Sequence, residues 1–480
     1  MSDITHAEPM ASRVAAPRIS QEFRQIVGIA LPLSLSQLSE MAMGITDALL
    51  LGRLGATALA VGGLSTSLFF VVLVTFQSGL SGVSVLIARA RGEAHHAAGQ
   101  QTDGAAEERV LSGVVCAGLL LACVFCLPMA LLLGQIKPIL HAFGEPPEVI
   151  ALVSDFMHRL MLALPPYLAV IGLLRVILPA FGYATLLLWT MPVMAVLNGL
   201  TNAGLIYGLV GLPRLGLFGS ATATALTGWA VALVLLGVAM SRTKLRPHLR
   251  LSIPDWGALK EMVALGLPMM FATGAEVTAF QVTGLRAGHY GTAALAAHQV
   301  ALSVTSTLFM VNLALAQAAN VRVAFWIGAR RVEQARNAAI GAIGSAISWS
   351  MISGAVLLLF PGMICRLYLR PDTPMGVESL HVGVQILGIA ALYQIFDGIQ
   401  VTCAAALRAY DDTVLPMLTI IGSYGLVTLL GGGWLADSMG LGVLGLWYGL
   451  AGGLTMVGIV LPIRLWLRFR REMQRPRLPA

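Results

Sequence analysis

Apolar stretches of membrane length recur from one end of the chain to the other, separated by short polar connections. The pattern predicts twelve helices, over 23–51, 59–86, 110–134, 158–180, 186–208, 217–240, 262–286, 293–320, 338–361, 380–408, 413–435 and 441–467. Each reaches or exceeds the ~20 residues that cross a bilayer. No polar block between them is long enough for an extramembrane domain. The same pattern divides the chain into a polar tail (1–22), six helices (23–240), a basic linker (241–260), six more helices (261–467) and a basic C-terminal tail (468–480). The first tail has no apolar signal core and reads as a short cytoplasmic segment.

Sliding the sequence along itself reveals a repeat. At a shift of 236 residues Leu31-Pro32 falls on Leu267-Pro268, Glu40 on Glu276, Gly55 on Gly291 and Gly92 on Gly328. Ala58-Leu59-Ala60 falls on Ala294-Leu295-Ala296 in the same frame, and Gly216 and Gly219 fall on Gly442 and Gly445 at a shift of 226. Each half has an even number of spans, so both enter the membrane from one side. The repeat is therefore parallel, about an axis along the membrane normal. The fold class that follows is an all-α polytopic membrane protein: twelve transmembrane helices in two six-helix lobes related by a pseudo-two-fold axis, facing each other across a central cleft.

Composition agrees. Hydrophobic residues make up 57% and charged residues 11%, with a mean hydropathy of +0.82; soluble chains carry roughly a quarter charged residues. The formal charge of +7 is unevenly placed. One set of alternate segments carries Arg13, Arg18, Arg24, Arg89, Arg91, Arg242, Lys244, Arg246, Arg322, Arg330, Arg464 and Arg468, among others. The other set holds only Arg53, Lys137, Arg159, Arg214, Arg286, Arg366 and Arg370. The positive-inside rule then puts both termini in the cytoplasm. The basic residues hug helix ends without an aromatic platform, which argues against nucleic-acid binding. Cys123 and Cys126 have the spacing of a redox or zinc motif. They lie in an apolar run with no second ligand pair, so they read, like Cys116, Cys365 and Cys403, as small core residues.

Four carboxylates break the apolar pattern: Glu40, Asp47, Glu276 and Asp397. A charge at such a depth costs roughly 2.5–3.5 kcal/mol on insertion scales and usually faces a cavity or a partner. Glu40 and Asp47, seven residues apart, share a helix face at a separation of about 10 Å. Glu276 precedes Arg286 by ten residues and Asp397 precedes Arg408 by eleven, which places both about 15 Å from a helix end, near mid-bilayer. One such acid alone has a bland reading, a protonated group hydrogen-bonded to the next helix. Four, placed correspondingly in two halves, point to a coupling site. Carboxylates in a low-dielectric cavity take up H+ more readily than in water, and beside neutral oxygens they ligate Na+, for which Glu276 and Asp397 are the candidates. No other metal and no cofactor beyond the coupling ion are called for. On this reading the deep charged residues are acids.

Other polar positions leave two readings open. Asn198 and Asn202, at i,i+4, are either ligand oxygens or helix-packing amides. Tyr393 and Gln400 flank Asp397 by about one turn and either offer an aromatic face and an amide to an organic cation or pack the core. Pro32 and Pro268 either hinge the acid-bearing helices or sit harmlessly in first turns.

Several stretches carry a family resemblance. GLPMMFATGAEVTAF, GTAALAAHQVALSVTSTLFM and YQIFDGIQVTCAAALRAYDDTVLP in the second half, with ITDALLLGRLGATALA and NGLTNAGLIYGLVGLPRLGLFGSATATA in the first, resemble the multidrug and toxic compound extrusion (MATE) transporters of the NorM-like bacterial branch. The likeness covers nearly all of the chain past residue 25. It implies export of organic cations or amphipathic drugs in exchange for H+ or Na+. By motif it implies that Asp47, with Asn198 and Asn202, forms the N-lobe coupling site, that Glu276 and Asp397 are the C-lobe cation-site acids beside Tyr393, and that Pro32 is the proline linked to helix bending. Glu40 departs from the pattern, since the family usually has Gln there. The expectation is that Glu40 shares a proton or ion with Asp47.

The expected function is thus a secondary antiporter working by alternating access, monomeric, in the lipid bilayer of the bacterial inner membrane. The alternative is a flippase for lipid-linked precursors, which calls for a cationic cavity. An enzyme is not expected: His158, His289 and His298 have no metal-motif spacing and read as helix-end or packing residues.

Overall fold

The computed structural model describes residues 19–97, 104–142, 146–369 and 372–474. The expected tails lie mostly outside the described residues: 1–18 and 475–480, with Arg13 and Arg18, are not among them, and neither is Arg370. Twelve helices are long and apolar enough to span a bilayer. We number them α1 (Ile19–Gly52), α2 (Ala56–Ala97), α3 (Glu107–Gly134), α4 (Pro147–Ala180), α5 (Thr185–Tyr207), α6 (Leu217–Ser241), α7 (Trp256–Gly288), α8 (Thr292–Gly328), α9 (Val332–Leu359), α10 (Pro374–Ala409), α11 (Val414–Asp437) and α12 (Val443–Gln474). Helices satisfy their own backbone groups, which lipid cannot do. Hydroxyls inside them follow suit: Ser34 donates to Ala30 O (2.8 Å) and Thr283 to Ala279 O (2.8 Å).

Several helices outrun the expected spans. α4 begins eleven residues before 158, α2 runs to Ala97 instead of 86, and α8 runs to Gly328 instead of 320. Hydropathy marks the hydrocarbon thickness, whereas a helix continues into the headgroup zone wherever its backbone bonds still close. His158 consequently lies inside α4, its Nδ1 2.7 Å from Ser154 O, rather than at an end. Cys123 faces outward instead of into a core.

α1–α6 and α7–α12 form the two lobes. In the first, α1 packs on α5, and α5 and α4 on α6; in the second, α10 packs on α8, α9 and α12, and α11 on α12. The lobes meet where α1 touches α8 and α9, and where α7 touches α2 and α3. Each of these contacts maps onto the other when α1 exchanges with α7, α2 with α8 and α3 with α9. The axis itself is visible. Asn320 Nδ2 donates to Ser84 Oγ at 2.9 Å, and these two residues are 236 apart, so the pair that the repeat superposes is in contact.

The glycines found by the repeat have matching jobs. A methyl on Gly92 would run into Phe325 O, and one on Gly328 into Arg89 O, where 325 − 89 is again 236. The ends of α2 and α8 therefore cross backbone to backbone, as small residues permit in membrane packing. Gly216 and Gly442 turn the chain into α6 and α12 at φ of 58° and 57°, where a side chain would be strained.

Most bonds between the lobes lie near the end that carries the chain termini. Arg322 donates to both oxygens of Glu22 (2.6 and 3.0 Å), with Trp326 Nε1 adding a third bond at 2.9 Å. Opposite, Arg89 pairs with Glu261 (3.0 Å) and Asp411 (2.6 Å) and donates to Ala409 O. The two arrangements are pseudo-symmetric: each joins the start of a lobe's first helix to the far end of the other lobe's second. The segment between α6 and α7 docks on the first lobe through Asp255 N to Gly113 O (3.2 Å), and Asp255 caps α7 by accepting from Gly257 N and Ala258 N.

Candidate functional site

In the first lobe α1 brings Asp47 against α5. Asn202 Nδ2 donates to Asp47 Oδ1 (2.7 Å) and to Asn198 Oδ1 (3.1 Å). All three residues are buried, and Asn202 Oδ1 and Asn198 Nδ2 have no protein partner. A free amide oxygen beside a carboxylate is a donor set for a proton or a small hard cation. Tyr207 fixes the end of this helix pair away from the chain termini, donating to Leu50 O at 2.7 Å.

Glu40 is elsewhere. It does not join Asp47 but faces α4, where Arg175 clasps it with two bonds, Nη2 to Oε1 at 2.5 Å and Nη1 to Oε2 at 2.8 Å. Arg175 also reaches Ser36 Oγ at 3.5 Å. This corrects two expectations: Glu40 does not share its charge directly with Asp47, and the deep charged residues are not all acids. A seven-residue spacing puts two side chains on one face, but a fork-shaped cation 135 residues away decides which of them is neutralised. Arg175 sits in the middle of an apolar run, LLRVIL, and a scan for deep charges of either sign finds it.

In the second lobe Glu276 on α7 accepts from Tyr424 Oη (2.8 Å) and Gln400 Nε2 (3.1 Å), and Gln400 also donates to Tyr424 Oη (3.3 Å). Asp397, 7% exposed, lies within electrostatic reach of Glu276. No ion pair involves either acid among the described residues. Gln400 thus serves the acids rather than an open cavity wall. Tyr393 is 3% exposed and stacks on Trp447 (6.3 Å, 21°), whose Nε1 donates to His298 Nδ1 at 3.2 Å. The expected substrate-lining pair is therefore internal. Tyr393 lies within electrostatic reach of Asp397, as expected, and Tyr424 is a second tyrosine at the acids, bonded to Glu276. Tyr424 belongs to a π-helical stretch of α11, Ser423–Gly431, where the altered register moves side chains off the 3.6-residue face and hides them from a periodicity argument.

Tyr424 also borders a cavity of about 500 Å³ between the lobes, walled by Thr75 and Phe76 of α2, Phe271, Ala275 and Thr278 of α7, and Tyr424 itself. Apolar walls with one polar edge suit a flat, amphipathic molecule. Pro32 and Pro268 both fall well inside their helices, fourteenth of Ile19–Gly52 and thirteenth of Trp256–Gly288, so the first-turn reading fails and both interrupt a helix just before its acids.

The sequence model of the MatE family matches residues 32–203 and 268–432, stretches that begin 236 residues apart. The chain belongs to the MatE family. A relative named multidrug resistance protein NorM, from Burkholderia vietnamiensis, is 39% identical over 474 residues, 99% of this chain and all of that one. A probable multidrug resistance protein NorM from Rhizobium meliloti is 32% identical across 95% of each chain. Among solved structures, the eukaryotic MATE transporter AtDTX14 superposes with a TM-score of 0.81 at 21% identity, over 95% of this chain and 99% of that one. An outward-facing multidrug resistance MATE transporter superposes with a TM-score of 0.81 at 18% identity, over 94% and 97%. These likenesses establish the MATE fold, with twelve helices in two lobes. As a MatE protein the chain is a multi-pass membrane transporter and not an enzyme.

Proposed function

We propose that this MatE protein is a multidrug efflux antiporter of the bacterial inner membrane, exporting organic cations and amphipathic drugs in exchange for H+ or Na+. One observation carries the reading: Glu276, held by the neutral Tyr424 and Gln400, has a second acid, Asp397, within electrostatic reach, and Tyr424 links this pair to an aromatic cavity between the two lobes. Ion uptake removes negative charge beside the cavity and weakens its hold on a cation; ion loss restores it. Such exchange drives transport only because the ion's affinity differs between the two states. Each charge crossing 100 mV carries about 2.3 kcal/mol. The names of the NorM relatives support the drug class.

Lobes 23–240 and 261–467, joined by the linker 241–260, rock against each other on this reading, with Pro32 and Pro268 as bending points and Asp47, Asn198 and Asn202 as a second coupling site. With both termini cytoplasmic, as the basic-residue asymmetry supports, the Glu22–Arg322 and Arg89–Glu261 pairs close the cytoplasmic end and the conformation is outward-facing. One chain supplies both lobes, so a monomer suffices. The flippase reading is the weaker, because Arg175, a deep cation, is taken up by Glu40 and unavailable to a pyrophosphate.

The test is ethidium or norfloxacin accumulation in everted vesicles under separately imposed pH and Na+ gradients. Accumulation driven by one gradient, and abolished by Asp397→Asn, is the expected result. Accumulation indifferent to both gradients rules out antiport.

A further inference from the structure

Resting on the antiport reading, we infer that Arg175 is a positioning residue that occupies both Glu40 oxygens as a fixed counter-ion, so that the N-lobe exchanges ions through Asp47 alone. The fork-to-fork geometry occupies both Glu40 oxygens at 2.5 and 2.8 Å. A bidentate guanidinium–carboxylate pair is the strong form of this contact, and its guanidinium does not give up its proton. The pair is only partly open, with Arg175 11% and Glu40 30% exposed, and Arg175 Nε has no partner at all. Nothing else nearby can take over the neutralising role. Tyr167 on α4 is in electrostatic reach of Glu40, Arg175 and Asp47. Against α1 pack α2, α5, α6, α8 and α9; against α4 pack α2, α3, α6, α8 and the short helix Ile136–Ala142, which carries Lys137 and His141 and lies on the Pro147–Leu160 part of α4. Residues 56–88 of α2, 110–134 of α3 (its cysteines apart), 185–206 of α5, 217–241 of α6, 299–321 of α8 and 337–359 of α9 contain no acidic, basic or tyrosine side chain.

The deep charge of the two lobes is then unequal: −1 from Glu40, −1 from Asp47 and +1 from Arg175 leave the first at −1, while Glu276 and Asp397 leave the second at −2. Glu40 balances the arginine, and without Arg175 it becomes a second exchangeable acid.

The experiment counts carboxyl protons directly, by the infrared band of protonated carboxyls as purified protein is titrated from about pH 8 to pH 3.5, a window that reaches below the ordinary carboxylate values of about 4. Glu40→Gln alone leaves the band unchanged, Arg175→Gln adds about one carboxyl equivalent, and the double variant Arg175→Gln/Glu40→Gln removes it again. Arg175→Lys, which retains the charge, matches the wild type. Loss of one equivalent in Glu40→Gln alone overturns the inference, as does Arg175→Gln matching wild type. Should Arg175→Gln fail to fold, the comparison of wild type with Glu40→Gln and with the double variant still decides. A parallel measurement of tetraphenylphosphonium efflux separates the two claims: wild-type protein that carries none under either gradient sinks the antiport reading while the proton count stands.

Discussion

The two lobes descend from one pattern yet treat their acids differently. In the first, α1 carries two deep carboxylates, Glu40 and Asp47, and the structure supplies a guanidinium for the one and an amide for the other. In the second, Glu276 and Asp397 sit together with a phenol, an amide and no cation. Glu40 and Glu276 are the same position in the repeat, so the divergence lies in what faces it: Arg175 on α4 in one lobe, Tyr424 and Gln400 on α11 and α10 in the other. A carboxylate with a fixed counter-ion is structural; one with only neutral donors keeps an open charge for a mobile cation. Under the antiport proposed above, the larger share of ion exchange falls to the second lobe.

Neutralising the second lobe has the largest expected effect. Glu276→Gln and Asp397→Asn each lower gradient-driven drug efflux by roughly 100-fold or more, because the motive force of about 2.3 kcal/mol per charge per 100 mV loses the site it acts through. Asp47→Asn costs less. Transport assays in proteoliposomes check this ranking, and an Asp47→Asn defect larger than either would reverse the comparison.

Tyr424→Phe sharpens it. The change removes one hydrogen bond to the Glu276 carboxylate, worth about 1.5–3 kcal/mol. That bond favours the ionised acid, so its loss raises H+ affinity at the second lobe by about tenfold or more, while the cavity keeps its aromatic wall. With H+ as the coupling ion, the apparent proton affinity rises and drug binding measured without a gradient is retained. Loss of drug binding with unchanged proton affinity would make Tyr424 a drug contact first.

The symmetric crossing tests the other side of the comparison, what the lobes still share. Gly92→Val and Gly328→Val each drive a side chain into backbone that cannot move aside, at an expected cost of about 1–3 kcal/mol. Their melting temperatures should fall by similar amounts. A silent Gly328→Val beside a damaging Gly92→Val would show that the crossing is not symmetric in energy.

How much of this was legible from sequence follows from what each feature depends on. Gly92 and Gly328, the acids and the shift of 236 could be read directly, because a parallel repeat places equal constraints at equal positions and lipid penalises charge and bulk wherever they occur. Arg175 was not read, since a tally of basic residues in the connections passes over one inside a span. Tyr424 was hidden by the π-helical stretch that sets its direction. The partners of Glu40 and Gln400 lie 135 and 124 residues away, and no local pattern encodes which of several facing helices will hold them.

The smallest effect belongs to the short turn Arg246–Leu249, which docks the connection between lobes onto α3 and α6 of the first lobe. His248 stacks on Phe181 (5.0 Å, 13°), and its Nδ1 is buried without a partner. Burial pushes its pKa below the ordinary histidine value, helped by Arg91, while Glu108 and Glu107 pull it back up. The docked form therefore holds the neutral ring, and the undocked or unfolded chain binds the proton more readily. It follows that docking is at full strength above the ordinary value of about 6.5 and weakens as the pH falls below it. His248→Phe retains the stacking and removes the titration. Between about pH 7.5 and pH 5.5 the wild-type melting temperature should drop by more than that of the variant, most visibly for a fluorescent reporter on the connection. Parallel drops would move the acid sensitivity to other groups and leave the docking of this turn independent of pH.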